Sequence, residues 1–188
     1  MKTNRRGILR GAAGALLTAL ALVPAAHAGY NVWTGEYTVP QAELQARIET
    51  RFPLTLRYAQ WIEVQVQHPR LGLDAATGRA AITMDVSVRS PLSPQAMAGL
   101  LTVSSRLRFD AASRSVRLTD PDADRIVFKG LPAAEAAQLQ AIGQAVAQQA
   151  LQDYPVHTFS PEDLRLGSRV LVPGEISVVQ GAITVKLD

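Results

Sequence analysis

The chain contains no cysteine. That excludes disulfides, thiolate catalysis, iron–sulfur clusters, cysteine-ligated zinc and a lipid-modified N-terminal cysteine. Histidine is nearly as scarce, with three in 188 residues, and aromatic residues make up only 5%. No apolar run reaches the ~20 residues of a membrane-spanning helix, which excludes an integral multi-span protein. The G-x-S-x-G elbow, the P-loop, a G-x-G-x-x-G after a strand and H-E-x-x-H are all missing, as are internal repeats and low-complexity linkers. What is present is a chain that is 47% hydrophobic and 19% charged, the composition of one globular domain.

The formal charge of +3 is unevenly placed. Lys2, Arg5, Arg6 and Arg10 lie in the first ten residues, followed by an apolar stretch over 11–23, Pro24 and the small-residue site Ala26-His27-Ala28. This is the layout of a cleavable secretory signal over residues 1–28, with cleavage between Ala28 and Gly29 and a single domain over 29–188. The remaining chain carries 15 Lys and Arg against 16 Asp and Glu, a net charge near −1. The basic character therefore belongs to the leader, and nucleic acid is not an expected partner. Arg5-Arg6-Gly7-Ile8-Leu9-Arg10 resembles the twin-arginine export motif, with Arg5 and Arg6 as its pair; the general secretory route is the alternative. Either route predicts a periplasmic protein, and the absence of cysteine predicts that it has no lipid anchor.

Periodicity then predicts helix, several strands, helix, short strands. Thr38-Val39-Pro40-Gln41 reads as a capping box opening a first helix, in which Leu44, Ile48 and Phe52 share a face until Pro53. Ile62, Val64 and Val66 alternate with Glu63, Gln65 and Gln67 as a half-buried strand, continued by Leu71 and Leu73 past Pro69, which marks an edge or a bulge. Ile82, Met84, Val86 and Val88 form a second strand, Leu101, Val103, Leu107 and Phe109 a third. A fourth surrounds Val116 and Leu118, and a fifth covers Arg125 to Phe128. A second helix runs from Leu131-Pro132 to Asp153, with eight alanines and Gly143 between Pro132 and Gln152. Ser160-Pro161-Glu162 reads as the start of another short helix, and Ile176 to Leu187 as a hairpin turning at Gln180-Gly181. The short connections favour an antiparallel meander in an α+β fold.

Few residues carry the pattern of a catalytic or metal site. His68 and His157 each stand beside or near a proline at an element boundary and read as surface or structural histidines, so no metal, cofactor or catalytic residue is expected. Asp120-Pro121-Asp122-Ala123-Asp124 has the spacing of a calcium-loop start, but Arg125 and Leu131 stand where that loop needs Gly and Glu. It reads as turn chemistry. Arg106 and Arg108 share a polar strand face, either solvated or facing a headgroup.

The apolar stripes leave two readings open. Ile62, Val64, Val66, Ile82, Met84, Val86, Val88, Leu101, Val103 and Leu107 on the strands, with Leu139, Ile142 and Val146 on the second helix, either form a close-packed core or line a groove for a hydrophobic ligand. The small side chains of the helix fit both.

Short motifs along the chain decide how the groove is weighed. Tyr37-Thr38-Val39, Arg51-Phe52-Pro53, His68-Pro69-Arg70-Leu71-Gly72-Leu73-Asp74, Leu107-Arg108-Phe109-Asp110, Leu118-Thr119-Asp120-Pro121, Lys129-Gly130-Leu131-Pro132 and Tyr154-Pro155-Val156-His157-Thr158 together resemble the YceB-like family of bacterial envelope proteins, a domain of unknown function. That family is similar to the tubular lipid-binding superfamily. The resemblance implies a strongly curved antiparallel sheet wrapped around a long helix, here Leu131 to Asp153, with a second helix near the N-terminus. It implies a lipid or other hydrophobic small molecule as ligand and leaves a peripheral contact with an envelope membrane open. The family's namesake is a lipoprotein, and this chain departs from it in having no cysteine. A ligand-free module for envelope protein interactions is the alternative, with an enzyme third.

Overall fold

Alternating apolar and polar residues build most of the described chain. The computed structural model describes residues 28–58, 61–91, 93–130 and 139–188, and the architecture is α+β, mostly antiparallel sheet with two helices. Six strands lie in chain order in the larger sheet: β3 (Leu54–Tyr58), β4 (Ile62–Asp74), β5 (Arg79–Ser90), β6 (Ser93–Asp110), β7 (Ser115–Phe128) and β8 (Pro155–Thr158). This sheet curls strongly into a half-barrel. A second sheet has the order β1 (Gly29–Asn31), β2 (Glu36–Pro40), β12 (Ala182–Leu187), β11 (Pro173–Val179), and the two-residue strands β9 (Arg165–Leu166) and β10 (Arg169–Val170) make a separate hairpin. The helices are α1 (Gln41–Glu49) and α2 (Gln140–Leu151).

Bulges bend the strands of this sheet, and two of them sit at prolines. In β4, Gln67 faces Asp85 and Arg70 faces Thr83, so His68 and Pro69 together oppose one residue. The inward parity therefore flips from Val64 and Val66 to Pro69 and Leu71, all buried. In β7, one extra residue lies at Asp120-Pro121 opposite Ser105 and another at Asp124, moving the inward set from Leu118 to Pro121 and Ala123 and then to Ile126 and Phe128. His68 and Asp120 both precede a proline and both have positive φ, 50° and 48°. A non-glycine residue rarely adopts that region, and a following proline disfavours helical backbone as well. These two positions hold local strain that the surrounding ladders maintain.

The bulges described in β4 and β7 sit where a sheet edge lacks a strand partner. β3 pairs with β4 only over Ile62 to Val66, and β8 pairs with β7 only over Ser115 to Arg117. Beyond those limits helices take the strand's place. Gln41 of α1 donates to the Leu71 carbonyl (2.7 Å), while Gln45 accepts from the Leu71 N–H (2.7 Å) and donates to the Pro69 carbonyl (2.7 Å). Gln140 of α2 donates to the Ala123 carbonyl (2.6 Å), and Gln144 accepts from the Ala123 N–H (2.9 Å) and donates to the Pro121 carbonyl (3.0 Å). Gln148 adds a second donor to Pro121 at 3.2 Å. The i, i+4 spacing puts these amides on one helix face, and they satisfy backbone groups that burial would otherwise leave unpaired. α1 also touches β8, and α2 touches β3, so the two helices close opposite ends of the half-barrel.

Several expectations need correction. Thr38 does not cap α1: it is in β2 opposite Thr184, Pro40 is the residue before the first helical turn, and no side chain caps it. The Gly181 carbonyl accepts the Gln41 N–H instead, at 2.9 Å. Phe52 lies beyond the end of α1 at Glu49, and β3, which follows Pro53, was not expected. The anticipated fourth and fifth strands are the single strand β7, split in the sequence because its bulges break the alternation. Pro94 falls within the first residues of β6. Residues 161–164 form a turn rather than a helix, in which the Ser160 N–H donates to Asp163 (2.8 Å) and the Asp163 N–H to Ser160 (3.2 Å). The second helix is described over Gln140–Leu151, twelve residues, while 131–138 of the expected span lie outside the described residues. The closing hairpin turns at Gly181 (φ 72°), where expected.

Candidate functional site

The thirteen apolar residues of the expected groove meet in one place. Val64, Val66, Ile82, Met84, Val86, Val88, Leu101, Val103, Ile142 and Val146 are buried in a single cluster, and Ile62, Leu107 and Leu139 pack against it partly buried. They face the concave side of the half-barrel, with Leu56, Ala123, Ile126 and Phe128 completing the lining and Leu44 and Ile48 of α1 entering from one end. Fully burying a side chain of this size stabilises by about 1.5–3 kcal/mol relative to exposure. Val64, Val66, Ile82, Met84, Leu101 and Val103 have no exposed surface. The lumen is thus filled by its own side chains in this structure.

Packing differs between its two ends. A Cβ on Gly143 would stand 3.3 Å from Ile126 Cδ1 and 3.4 Å from Leu101 Cδ1, so α2 lies as close to the sheet as its small residues allow. Under α1 a narrow apolar gap remains, lined by Leu44, Ile48, Leu71, Leu73, Ala80, Leu107, Leu118 and Val156, with no room for a water molecule. Ser105, fully buried on β6, has a hydroxyl without a hydrogen-bond partner.

The polar groups lie outside this lumen. His157 of β8 is buried, with Nδ1 at 3.0 Å from Glu43 Oε1 of α1 and Nε2 without a partner. Its ring sits among Tyr37 and Phe159, at centroid distances of 5.6 and 4.8 Å. Burial holds its pKa below the ordinary value, against the pull of the Glu43 and Asp163 carboxylates. The Tyr37 hydroxyl donates to Asp163 at 3.1 Å, and burial together with that carboxylate pushes it up to about 12. This cluster ties β2, α1 and β8 together. His68 is exposed and reaches Asp85 at 2.8 Å, beside an open pocket of about 460 Å³ formed by Gln45, Glu49, Phe52, Pro53, Pro69 and Arg70. Ser104 donates to Asp124 (2.9 Å) and accepts from Arg79 (2.9 Å), which anchors the acidic segment to the bulge rather than to an ion. Among the described residues no group of three or more His, Asp or Glu is arranged to hold a metal.

Arg106 and Arg108 are exposed, and Arg108 pairs with Asp153 at 2.8 Å. Arg5 and Arg6 of the export motif lie outside the described residues. Ala28 is partly buried against the core and Gly29 is the first residue of β1. Sequence reasoning passed over the glutamines, although Gln41/Gln45 and Gln140/Gln144/Gln148 are visible as i, i+4 series. Within the described residues no helix is long and apolar enough to cross a membrane. No protein-family model matches the chain, and no curated protein matches it either.

Proposed function

We propose that the chain is a non-catalytic periplasmic protein, exported behind a cleaved leader, that binds a lipid or other hydrophobic small molecule in the apolar interior between sheet and helices. The observation that carries this reading is how the lumen is closed. Both helices are tied to the sheet edges by side-chain amides and not by ladder hydrogen bonds. Water can replace an amide at such an edge, so a helix can swing away without dismantling a strand pair. The gap under α1 is where an acyl chain would begin to part the lining. In its finer form the reading has the sheet wrapping a helix over Leu131 to Asp153, as in the tubular lipid-binding proteins. The resemblance carries that form.

The test is an organic extract of protein purified from its native envelope, analysed by mass spectrometry, with titration of a fluorescent fatty acid. A stoichiometric lipid and saturable probe binding are expected, and Val146→Phe should weaken the probe at least tenfold while the protein stays folded. No extracted lipid and no probe binding by the parent would overturn the reading. The same preparation tests export: mature protein should begin at Gly29, and Arg5→Lys with Arg6→Lys should abolish its periplasmic yield if the twin-arginine route operates.

The second reading is a ligand-free interaction module. Its support is the dense packing of Val64, Ile82, Met84 and Leu101, which leaves the lumen filled without a guest.

A further inference from the structure

The exposed apolar side chains of the smaller sheet gather along one rim. The β1–β2 turn carries Val32 (63% exposed) and Trp33 (97%), and the segment entering β11 carries Val172 (62%). Backbone bonds set these side by side: the Gly35 carbonyl accepts from the Leu187 N–H at 2.8 Å, and Val172 and Asp188 exchange two bonds of 2.9 and 3.0 Å. Each step is one strand spacing, about 5 Å, so the turn and Val172 are separated by little more than the end of β12. Next to Val172 the β9–β10 hairpin projects with every residue from 165 to 170 exposed. Its register places Arg165 opposite Val170 and Leu166 opposite Arg169.

We propose that this rim is the surface by which the protein docks on an anionic lipid bilayer. A tryptophan at a turn tip, with valines on neighbouring tips, offers amphipathic and apolar bulk at the depth of the headgroups. Arg165 and Arg169 supply the complementary charge, and neither is in an ion pair among the described residues. The hairpin strands contain no acid, and the carboxylate just before them, Asp163, is turned inward to Tyr37 and Ser160. Glu162 and Glu175 flank the hairpin in the chain, and Asp188 leans towards Gly174. Interleaving arginine with apolar residues on a protruding hairpin suits a fluid interface, which lets the arginines reach phosphate while the leucine and valine enter the acyl boundary. The inference does not require the lumen to hold a ligand.

Sedimentation of the purified protein with vesicles decides it. At low ionic strength the protein should bind phosphatidylcholine vesicles containing phosphatidylglycerol, bind pure phosphatidylcholine far less, and show a blue shift of tryptophan emission. Arg165→Gln with Arg169→Gln should lower partitioning roughly twenty-five-fold, since each arginine near an anionic surface contributes about a fivefold factor. Trp33→Ser should weaken binding and abolish the blue shift, whereas Trp61→Phe, in the β3–β4 turn of the other sheet, should leave both unchanged. The variant sites are exposed, so circular dichroism melts should match the parent. Absence of binding at low salt, binding indifferent to Trp33 and the two arginines, or a blue shift that belongs to Trp61 would each overturn the proposal.

Discussion

At one edge of the six-stranded sheet Gln41 and Gln45 of α1 hold the backbone of Pro69 and Leu71; at the other, Gln140 and Gln144 of α2 hold Pro121 and Ala123. Each strand segment begins with a positive-φ residue before a proline, and each helix uses its first glutamine for a carbonyl and the next for an N–H and a carbonyl. The polar device is the same, but the apolar load is not. α1 seats Leu44 and Ile48 with almost no exposed surface and leaves a gap beneath, whereas α2 sets Gly143, Ala147 and Ala150 among Ile142, Val146 and Leu151 and approaches closely. Bulk on one side and close approach on the other both take apolar surface out of water.

Breaking the apolar half of the comparison should have the largest effect. Ile48→Ala should cost roughly 2–5 kcal/mol in urea unfolding, because a buried side chain is lost beside an existing gap. On α2 the damaging change runs the other way: Ala147→Leu should cost roughly 1–3 kcal/mol by overpacking. If Ala147→Leu were neutral, α2 would not be held by proximity.

The polar half should be asymmetric. Gln45→Ala removes the partner of both the Leu71 N–H and the Pro69 carbonyl and should cost roughly 2–4 kcal/mol. Gln144→Ala should cost less, roughly 1–3 kcal/mol, because Gln148 still donates to Pro121. Equal losses in matched unfolding curves would show that Gln148 gives no cover.

Only the α1 side should respond to mild acid. His157 is buried neutral with Nε2 unpaired, and burial lowers its folded pKa below the ordinary 6.5. The unfolded chain therefore takes up the proton first, so the stability of the neutral ring is complete above about pH 6.5 and is lost as pH falls below it. Glu43 and Asp163 pull towards protonation and Arg47 opposes it, with burial the larger influence. The depressed carboxylates Asp110 and Asp153 act lower, below their ordinary 3.8. Unfolding free energy between about pH 5 and 6.5 should fall in the parent and stay flatter in His157→Gln. Identical profiles would remove His157 from the α1 latch.

The smallest expected effect lies in the bulges themselves. Asp120→Gly should raise stability by about 0.5–1 kcal/mol, since glycine adopts φ near 48° without the Cβ penalty. His68→Gly should gain less, because it also gives up the contact with Asp85. Thermal melts compare the two.

Much of this was legible. Alternation located β4, β5 and β6 and their inward residues, and proline with glycine located the turns. Pro69 was correctly marked as an irregularity, because a missing N–H must interrupt a ladder wherever it falls. β3 escaped notice because Leu54 to Tyr58 is short and mostly exposed. The gathering of the thirteen apolar residues into one lumen follows from the alternation. Whether that lumen is open could not be read from the alternation, because volume depends on how near the helices come.

By itself the sequence determined which residues face inward along β5 and the regular stretches of β4 and β6, since a two-residue period with one apolar face admits one arrangement that buries it. It also determined that the chain carries no thiol of its own. Only the tertiary structure decided that β7 is one strand through two bulges, that Thr38 belongs to a ladder with Thr184, and that glutamines complete both sheet edges. These depend on backbone groups brought together from far along the chain, 26 residues apart for Leu71 and Gln45 and 21 for Ala123 and Gln144. No local pattern encodes such a pairing, because a glutamine on a helix face is equally at home in water until an unpartnered strand edge is set against it.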